Sequence, residues 1–522
     1  MKTTGATSVI KGKTLKVGRR TFLKTGSAAL LGLSAKADRK IEGSFVNESA
    51  EAGHLLRDRF TFPATRRTEK YSLVIVGGGI AGLSAAWWMR RHGFKDFVLL
   101  EMNEQAGGNA RWGENEITAY PWAAHYVPVP GAKAVYLREL FADLGVLKEN
   151  GQWEERFLVF TPQERLFSYG RWQDGIEPAI GLTAKDREQF QRLAARFSEY
   201  RRSGAFTIPL ELGFSQRFAK LDRISFADWL RGEGFESRLL NWYMNYACRD
   251  DYGALAKDTS AWAGIHYFAS REAEEKGPLT WPEGNGWITR RLLERVAQHV
   301  RTVQMVHRIT PSNKGARVLA GETEYIAEFV IFAAPTFLAP YLIPGFPKPE
   351  SFAYSPWLTA NLTLERLPTV NAGEPTWDNV FLDSPTLGYV DATHQSLKTH
   401  IDRTVWTFYW ALCDATPTES RKLLLSTDWN YWKEAILRDL ERVHKDIRQC
   451  VSRLDIMRMG HAMVRPTVGS FFAEERLRLK RKNGRLLFAN SDLSGISIFE
   501  EAQYHGVEAA KTVLSHIGGG DF

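Results

Sequence analysis

Cysteine is scarce: Cys248, Cys413 and Cys450 are the only three in 522 residues, widely spaced and with no C-x-x-C pair. That pattern indicates neither a zinc site nor a disulfide framework, and leaves buried thiols, or a single bridge in an oxidising compartment. No apolar run is long enough to cross a bilayer, and no internal repeat or low-complexity tract is visible. Acidic residues are missing from one region: residues 1 to 37 hold six Lys and two Arg but no Asp or Glu, which accounts for the whole formal charge of +8. Beyond Ala37, 60 basic and 60 acidic residues remain. The basic balance is therefore no argument for nucleic acid or an anionic membrane as partner.

What the leader does contain is an address. GRRTFLKTGSAALLGLSAKA, residues 18 to 37, has the Arg19–Arg20 pair, Phe22, Leu23 and Lys24, a short weakly apolar stretch and an A-x-A ending at Ala37. This is the pattern of a twin-arginine signal peptide, which predicts export to the periplasm by the twin-arginine machinery. The plain alternative is a basic tail with an accidental arginine pair.

The chain's most informative stretch is VIVGGGIAGLSAAWW, residues 74 to 88. Val74, Ile75 and Val76 read as a strand buried on both faces, and the small apolar residues after Gly82 as a helix packed against it. Gly77, Gly79 and Gly82 form G-x-G-x-x-G at the turn. Gly77 permits the tight turn, Gly79 lets backbone approach a pyrophosphate, and Gly82 lets helix lie close to strand. The free amides at the helix start, including Ile80 and Ala81, then face the phosphates. The motif alone is weak, but FVLLE follows as a second strand and places Glu101 about twenty residues on, where a carboxylate accepts from an adenosine ribose. A structural glycine turn with a surface glutamate is the bland alternative.

Three further segments carry a resemblance. EQAGGNARWG supplies Gly107 and Gly108, with Asn109 third; NGRLLFANSDLSGISIFEEAQYHGVEAAKTVL, residues 483 to 514, reads as strand, loop and helix. Residues 303 to 335 read as a strand, a hairpin and a second strand ending at Pro335. Together with the first turn, these segments resemble the flavin-containing amine oxidase and phytoene desaturase superfamily. The resemblance implies FAD rather than NAD. It implies that Val306 lies beside the adenine, that Asp492 is delivered by a strand to the ribityl chain, and that the helix over Glu500 to Ala510 aims its N-terminus at the flavin. The family usually has G-G-R where this chain has Asn109, and a glycine where it has Asn490.

The resemblance also implies an α/β fold in which a Rossmann-type FAD domain is interleaved with a discontinuous, mixed α+β substrate domain. The expected division is a signal peptide over 1–37, a linker or arm over 38–69, FAD segments over 70–130, 280–340 and 455–522, and substrate-domain insertions over 131–279 and 341–454. The first insertion reads as mostly helical, with apolar residues at three and four spacing, and the second contains alternating stretches such as TVWTFYWAL.

A flavin supplies its own hydride acceptor, so the absence of a fixed catalytic dyad does not argue against an enzyme. No catalytic residue is assigned and no metal site is expected. Many relatives place a lysine on a substrate-domain strand, and WLTANLTLERL, residues 357 to 367, has none; where relatives often set a cage tyrosine, this chain has Ile498. These departures weigh against a strict amine oxidase and towards desaturase-like, protoporphyrinogen-oxidase-like or isomerase-like use of the same fold. His125, His461 and Arg465 are candidates to line the active site, each with a structural hydrogen bond as the plainer role, and His505 reads as packing. Trp112, Trp122, Trp281 and Trp410 are candidate pocket walls, with core packing as the plainer role. The expected activity is an exported FAD-dependent oxidoreductase acting on a C–N or C–C bond of a small organic substrate, with oxygen or a quinone as reoxidant. The rivals are a flavin-dependent isomerase and a non-catalytic FAD-binding periplasmic protein.

Overall fold

Leu73 to Val76 are fully apolar and buried, and a strand of that kind needs a neighbour on each edge and cover on each face. In the computed structural model, strand Arg67–Val76 pairs in parallel with Thr323–Phe332 on one side and with Phe97–Leu100 on the other. Val300–Arg301 follows Phe97–Leu100, again in parallel. The free edge of Thr323–Phe332 is shared. Its first half continues an antiparallel meander through Gly315–Ala320 to Val306–Ser312, and its second half pairs in parallel with Leu486–Phe488. Strands far apart in the chain thus build one seven-stranded sheet. The model describes residues 40–46, 50–58, 60–271, 277–369, 371, 373–481 and 484–517, and the expected signal peptide lies outside them. The described residues from Ile41 onward form one compact unit.

Helix Ile80–Arg91 lies against this sheet, and the terminal helix Phe499–Ile517 lies against that helix. Glycine makes both contacts possible. A Cβ at Gly82 would sit 2.0 Å from the carbonyl oxygen of Gly77, and one at Gly506 would sit 2.2 Å from that of Ala81.

A second seven-stranded sheet runs in the order Val451–Arg465, Ala353–Leu364, Thr404–Ala411, Tyr389–Asp391, Asp378–Phe381, Glu164–Ser168, Arg171–Asp174. All its pairings are antiparallel except that of Asp378–Phe381 with Glu164–Ser168. Three strands differ from the expected reading, one in its domain and two in their secondary structure. Val451–Arg465 belongs to this sheet through most of its length, although a boundary at 455 assigns most of it to the FAD segments. Glu164–Ser168 and Arg171–Asp174 bring two strands from the largely helical insertion. In each case cross-strand pairing with Ala353–Leu364 or Asp378–Phe381 decides the partner, a long-range contact that local periodicity does not report. Within the expected arm, residues 42 and 45 bridge to Arg453 and Ile456 along the outer edge of Val451–Arg465, and Ala50–Arg57 is helical.

The remaining layer is helical. Helices Ala184–Arg202, Phe226–Gly232, Arg238–Tyr252 and Ala261–Ala269 share an apolar cluster that includes Phe197, Phe226, Leu240 and Trp262. Arg238–Tyr252 ends at Gly253, whose left-handed φ of 57° closes the last turn with its N–H on the Arg249 carbonyl. A side chain there would meet the Trp357 indole nitrogen at 2.4 Å, so the helix end docks on the second sheet.

Candidate active site

The glycine turn is built as a cradle. Gly77 has φ +106°, and a Cβ on it would press against the Ala333 backbone at 3.0 Å. Gly79, by contrast, has nothing within 4 Å of where a Cβ would stand. Ile80, Ala81 and Gly82 form the first turn of the helix, whose orphan amides and positive dipole end open onto that space. Gly107 donates its N–H to the Gly78 carbonyl at 2.8 Å, and Gly108, at φ +57°, packs its α-carbon region against that of Gly79. The glycine doublet therefore lies on the first turn, and both take conformations that favour glycine.

Glu101 is 7 % exposed and closes the other side. One carboxylate oxygen accepts the Gly78 N–H at 2.8 Å, and the other accepts the backbone and side-chain N–H groups of Asn103 at 2.8 and 3.0 Å. Its own carbonyl accepts the N–H of Gln304, which brings the segment leading to Val306 alongside. Val306 is buried at the start of its strand. An open glycine, oriented helix amides and a carboxylate at the neighbouring strand end are the donor set a dinucleotide needs, so the residues fit FAD.

Asp492 is buried in a 3₁₀ turn after strand Leu486–Phe488 rather than on the strand itself. Its Oδ2 accepts the Thr336 N–H at 2.8 Å and the Tyr354 hydroxyl at 2.6 Å. Burial pushes its pKa up, and those two hydrogen bonds pull against that. Asn490 donates to the Ala334 carbonyl at 2.7 Å, tying the same turn to the end of the neighbouring strand.

Beside the cradle lies a cavity of about 150 Å³. Asn109 of the doublet loop reaches it, as do Ser497, Ile498, Phe499 and Glu500 at the start of the terminal helix, and Trp357, Thr359 and Tyr409 of the second sheet. Asn109 donates its side-chain N–H to the Ala462 carbonyl at 2.7 Å, crossing from doublet loop to second sheet. Of the sequence candidates, His125 lines this cavity. Its loop is pinned by Ala124 N–H to the Asn109 carbonyl (2.9 Å), Tyr409 hydroxyl to the Ala123 carbonyl (2.9 Å) and Thr280 hydroxyl to its own carbonyl (2.8 Å). Burial lowers the His125 pKa to about 4, so the imidazole is neutral at physiological pH.

The other candidates fall elsewhere. His461 stacks on Phe337 at 4.4 Å and Arg465 pairs with Asp258 at 3.4 Å, neither on the cavity wall. His505 meets the Ser494 hydroxyl at 2.7 Å, a buried contact that also engages Glu501. Trp112, Trp122, Trp281 and Trp410 do not line the cavity: Trp281 stacks on Trp287 at 4.9 Å and Trp410 meets Trp432 at 5.7 Å. The tryptophan of the wall is Trp357.

Sequence reading missed the polar end of the cavity. Asp250, Asp251, Tyr126, His266, Tyr267 and Arg271 converge there with Glu500. Arg271 pairs with Asp251 at 3.2 Å and lies over the Tyr267 ring at 3.8 Å. Asp250 is pushed up to about 7 and Glu500 to about 8, mainly by burial and then, for Asp250, by the neighbouring Asp251. The available signal was the pair of adjacent acids in CRDDYG at the end of a strongly apolar helix. Among the described residues no cluster of His, Cys, Asp and Glu could hold a metal ion.

The comparisons agree with this architecture. A family model described as an NAD(P)-binding Rossmann-like domain matches residues 75–144. The chain is 27% identical over 188 residues to the 15-cis-phytoene desaturase of Solanum lycopersicum, covering 34% of this chain and 30% of that protein. The chain thus spans under a third of that curated relative. Solved structures of putrescine oxidase with bound putrescine (TM-score 0.66, 17% identity) and of cyclohexylamine oxidase from Brevibacterium oxydans IH-35A (0.65, 16%) each align over 86% of this chain and all of theirs. The expected mixed α/β architecture with a Rossmann-like domain is observed. The chain has the fold of the flavin amine oxidases and a partial sequence relation to the phytoene desaturases.

Proposed function

With that shared fold as premise, we propose that the protein is an exported FAD-dependent oxidoreductase that takes a hydride from the carbon of a C–N or C–C bond in a small organic substrate. The observation that carries this reading is convergence: one cavity is walled at once by the glycine-doublet loop, by the start of the terminal helix and by the second sheet. Gly77, Gly79, Ile80, Ala81, Gly82, Glu101, Gly107, Gly108, Asn109, Val306 and Asp492 would hold FAD. When bound, FAD supplies the hydride acceptor at its N5.

The chain's own residues bind, orient and dry the substrate. Trp357, Tyr409, Met459 and Met463 give the cavity an apolar wall, and the pinned His125 loop fixes its neighbour strand against drift. Holding a reacting carbon at a fixed distance from its acceptor and excluding water are the contributions such a site makes to rate. Periplasmic export rests on the Arg19–Arg20 leader, and oxygen or a quinone would reoxidise the cofactor.

The test is the visible spectrum of the purified mature protein, followed anaerobically against amines, polyamines and apolar polyenes. A flavin spectrum that one class bleaches supports the reading and names the class. A flavin that stays oxidised against all classes while a double bond migrates favours an isomerase, one without product favours a binding protein, and no flavin at all refutes the cofactor.

A further inference from the structure

The polar end of the cavity holds more carboxyl groups than its surroundings can neutralise as carboxylates. Asp250 and Asp251 come from the last turn of Arg238–Tyr252, and Glu500 from the first turn of the terminal helix. Behind them, Glu164 and Asp378 of the second sheet act electrostatically on Asp250, and Glu501, which accepts the Ser494 hydroxyl, acts on Glu500. The facing groups are Arg271, paired with Asp251, and neutral ones: His125, Tyr126, Tyr243, Tyr246, Tyr267 and Tyr409, with His266 bonded through Nε2 to the Thr207 carbonyl. Arg249 turns away and donates to the Ser384 and Thr386 carbonyls. Among the described residues neither Asp250 nor Glu500 makes an ion pair.

A second observation points the same way. Asn285 lines the cavity and is 1 % exposed; its amide N–H is donated to the Tyr126 carbonyl, and its Oδ1 has no hydrogen-bond partner. A buried acceptor left over in a wall that already has surplus carboxylates calls for a donor, and aromatic faces at Tyr126, Tyr267 and Tyr409 suit a cationic one.

We propose that the carboxylate end of the cavity, formed by Asp250, Asp251 and Glu500 with Asn285 beside it, binds the positively charged nitrogen of an organic ammonium ion and gives up protons as that ion enters. This rests on the oxidoreductase reading for its use, and names the C–N branch of that reading. The proton exchange follows from the charge count. With one guanidinium among several carboxylates in a low-dielectric recess, the cavity without a cation keeps part of the set protonated. The arriving cation replaces those protons, and the carboxylates ionise around it. The sign is fixed by the raised pKa values of Asp250, about 7, and Glu500, about 8: both are largely neutral near pH 6 and must ionise to hold a cation, so affinity rises with pH.

Calorimetric titration of the purified protein with tert-butylammonium, which carries N–H donors but no hydrogen on the carbon next to nitrogen, and with tert-butyl alcohol as the neutral probe, tests this. Neither probe carries an amine nitrogen that can be oxidised to an imine. We expect the cation to bind at least about tenfold more tightly near pH 8.5 than near pH 6, with net proton release measured by repeating the titration in buffers of different ionisation enthalpy. Asp250→Asn and Glu500→Gln each weaken binding and reduce the proton count. Equal binding of the alcohol, cation binding without proton release, or no cation binding would each overturn the proposal. The wild-type proton count decides the matter even if a variant fails to fold. The flavin absorbance of the same sample separates failure of this site from failure of the cofactor reading.

Discussion

Replacing Gly79 by alanine separates what the glycine turn does for the fold from what it does for a ligand. Gly79 has φ −74° and ψ −175°, a conformation open to any L-residue, and its new methyl would meet no protein atom within 4 Å. Without ligand, the stability change is expected within about 0.5 kcal/mol, on the stabilising side if the stiffer unfolded chain counts. The neighbouring glycines behave differently. At Gly82 the methyl would stand 2.0 Å from a backbone oxygen, and at Gly506 2.2 Å from another, so the packed elements must part, at about 1–3 kcal/mol or more. At position 79 the methyl has only the ligand to collide with. A clash of the same size, about 1–3 kcal/mol, lowers FAD affinity by about 5- to 150-fold. The assay is a pair of measurements on wild type, Gly79→Ala and Gly82→Ala: thermal melts of the deflavinated proteins and FAD titration by fluorescence. Gly79→Ala with a wild-type apo melt and weakened FAD binding is expected. Full FAD affinity in Gly79→Ala would refute the placement of the pyrophosphate, and an apo melt depressed as far as that of Gly82→Ala would refute the claim that the space is open.

Tyr354→Phe removes one of the two donors to the buried Asp492 carboxylate and should cost about 1.5–3 kcal/mol in urea denaturation at neutral pH, with Asp492 titrating higher still. Glu500 is held near pKa 8 in the fold against an ordinary value of 4.5, so the native state keeps a proton that the unfolded chain loses between those values, and stability falls as pH rises across that window. Glu500→Gln should therefore be more stable than wild type near pH 8.5, with the difference shrinking towards pH 5 at up to about 1.4 kcal/mol per unit; a gap independent of pH would contradict the assigned burial. Arg19→Lys combined with Arg20→Lys should leave the chain in the cytoplasmic fraction with its leader uncleaved, and normal export of that variant would refute the twin-arginine assignment.

The parts of the site that sequence made legible are those in which local pattern and local chemistry coincide. Three glycines at fixed spacing between a β-branched run and a small-residue helix mark a strand-to-helix turn, in which Gly77 takes a positive φ and Gly82 and Gly108 make close backbone approaches. Asp492 was found as a residue, but its strand ends at Phe488 and its carboxylate serves Thr336 and Tyr354, partners more than a hundred residues away in sequence. The cavity wall was mostly illegible. Trp357 and Thr359 face it because Ala353–Leu364 is paired on both edges, with a register shift between Ser355 and Trp357 on the Val451–Arg465 side, and a slip by one residue would turn them to the other face. Asp250 and Asp251 carry no motif; they matter because Gly253 stops their helix against Trp357. Trp281 and Trp410 fall in packed clusters for the same reason: composition says that apolar bulk is present and nothing about which surface it covers.

The shared edge of strand Thr323–Phe332 sets an order on how the protein can come into being. The phosphate turn is synthesised in the first fifth of the chain, yet the strand that finishes its sheet and the helix that lies over Ala81 belong to the last forty residues. A ribosome-bound chain therefore exposes the half-built sheet until residues 486 to 517 have emerged, and the contacts that close it are long-range, the kind of closure that makes folding slow. Cofactor loading in this sense waits for that cover, and a nascent chain that stalls or is trimmed near residue 486 is left with the turn but without it.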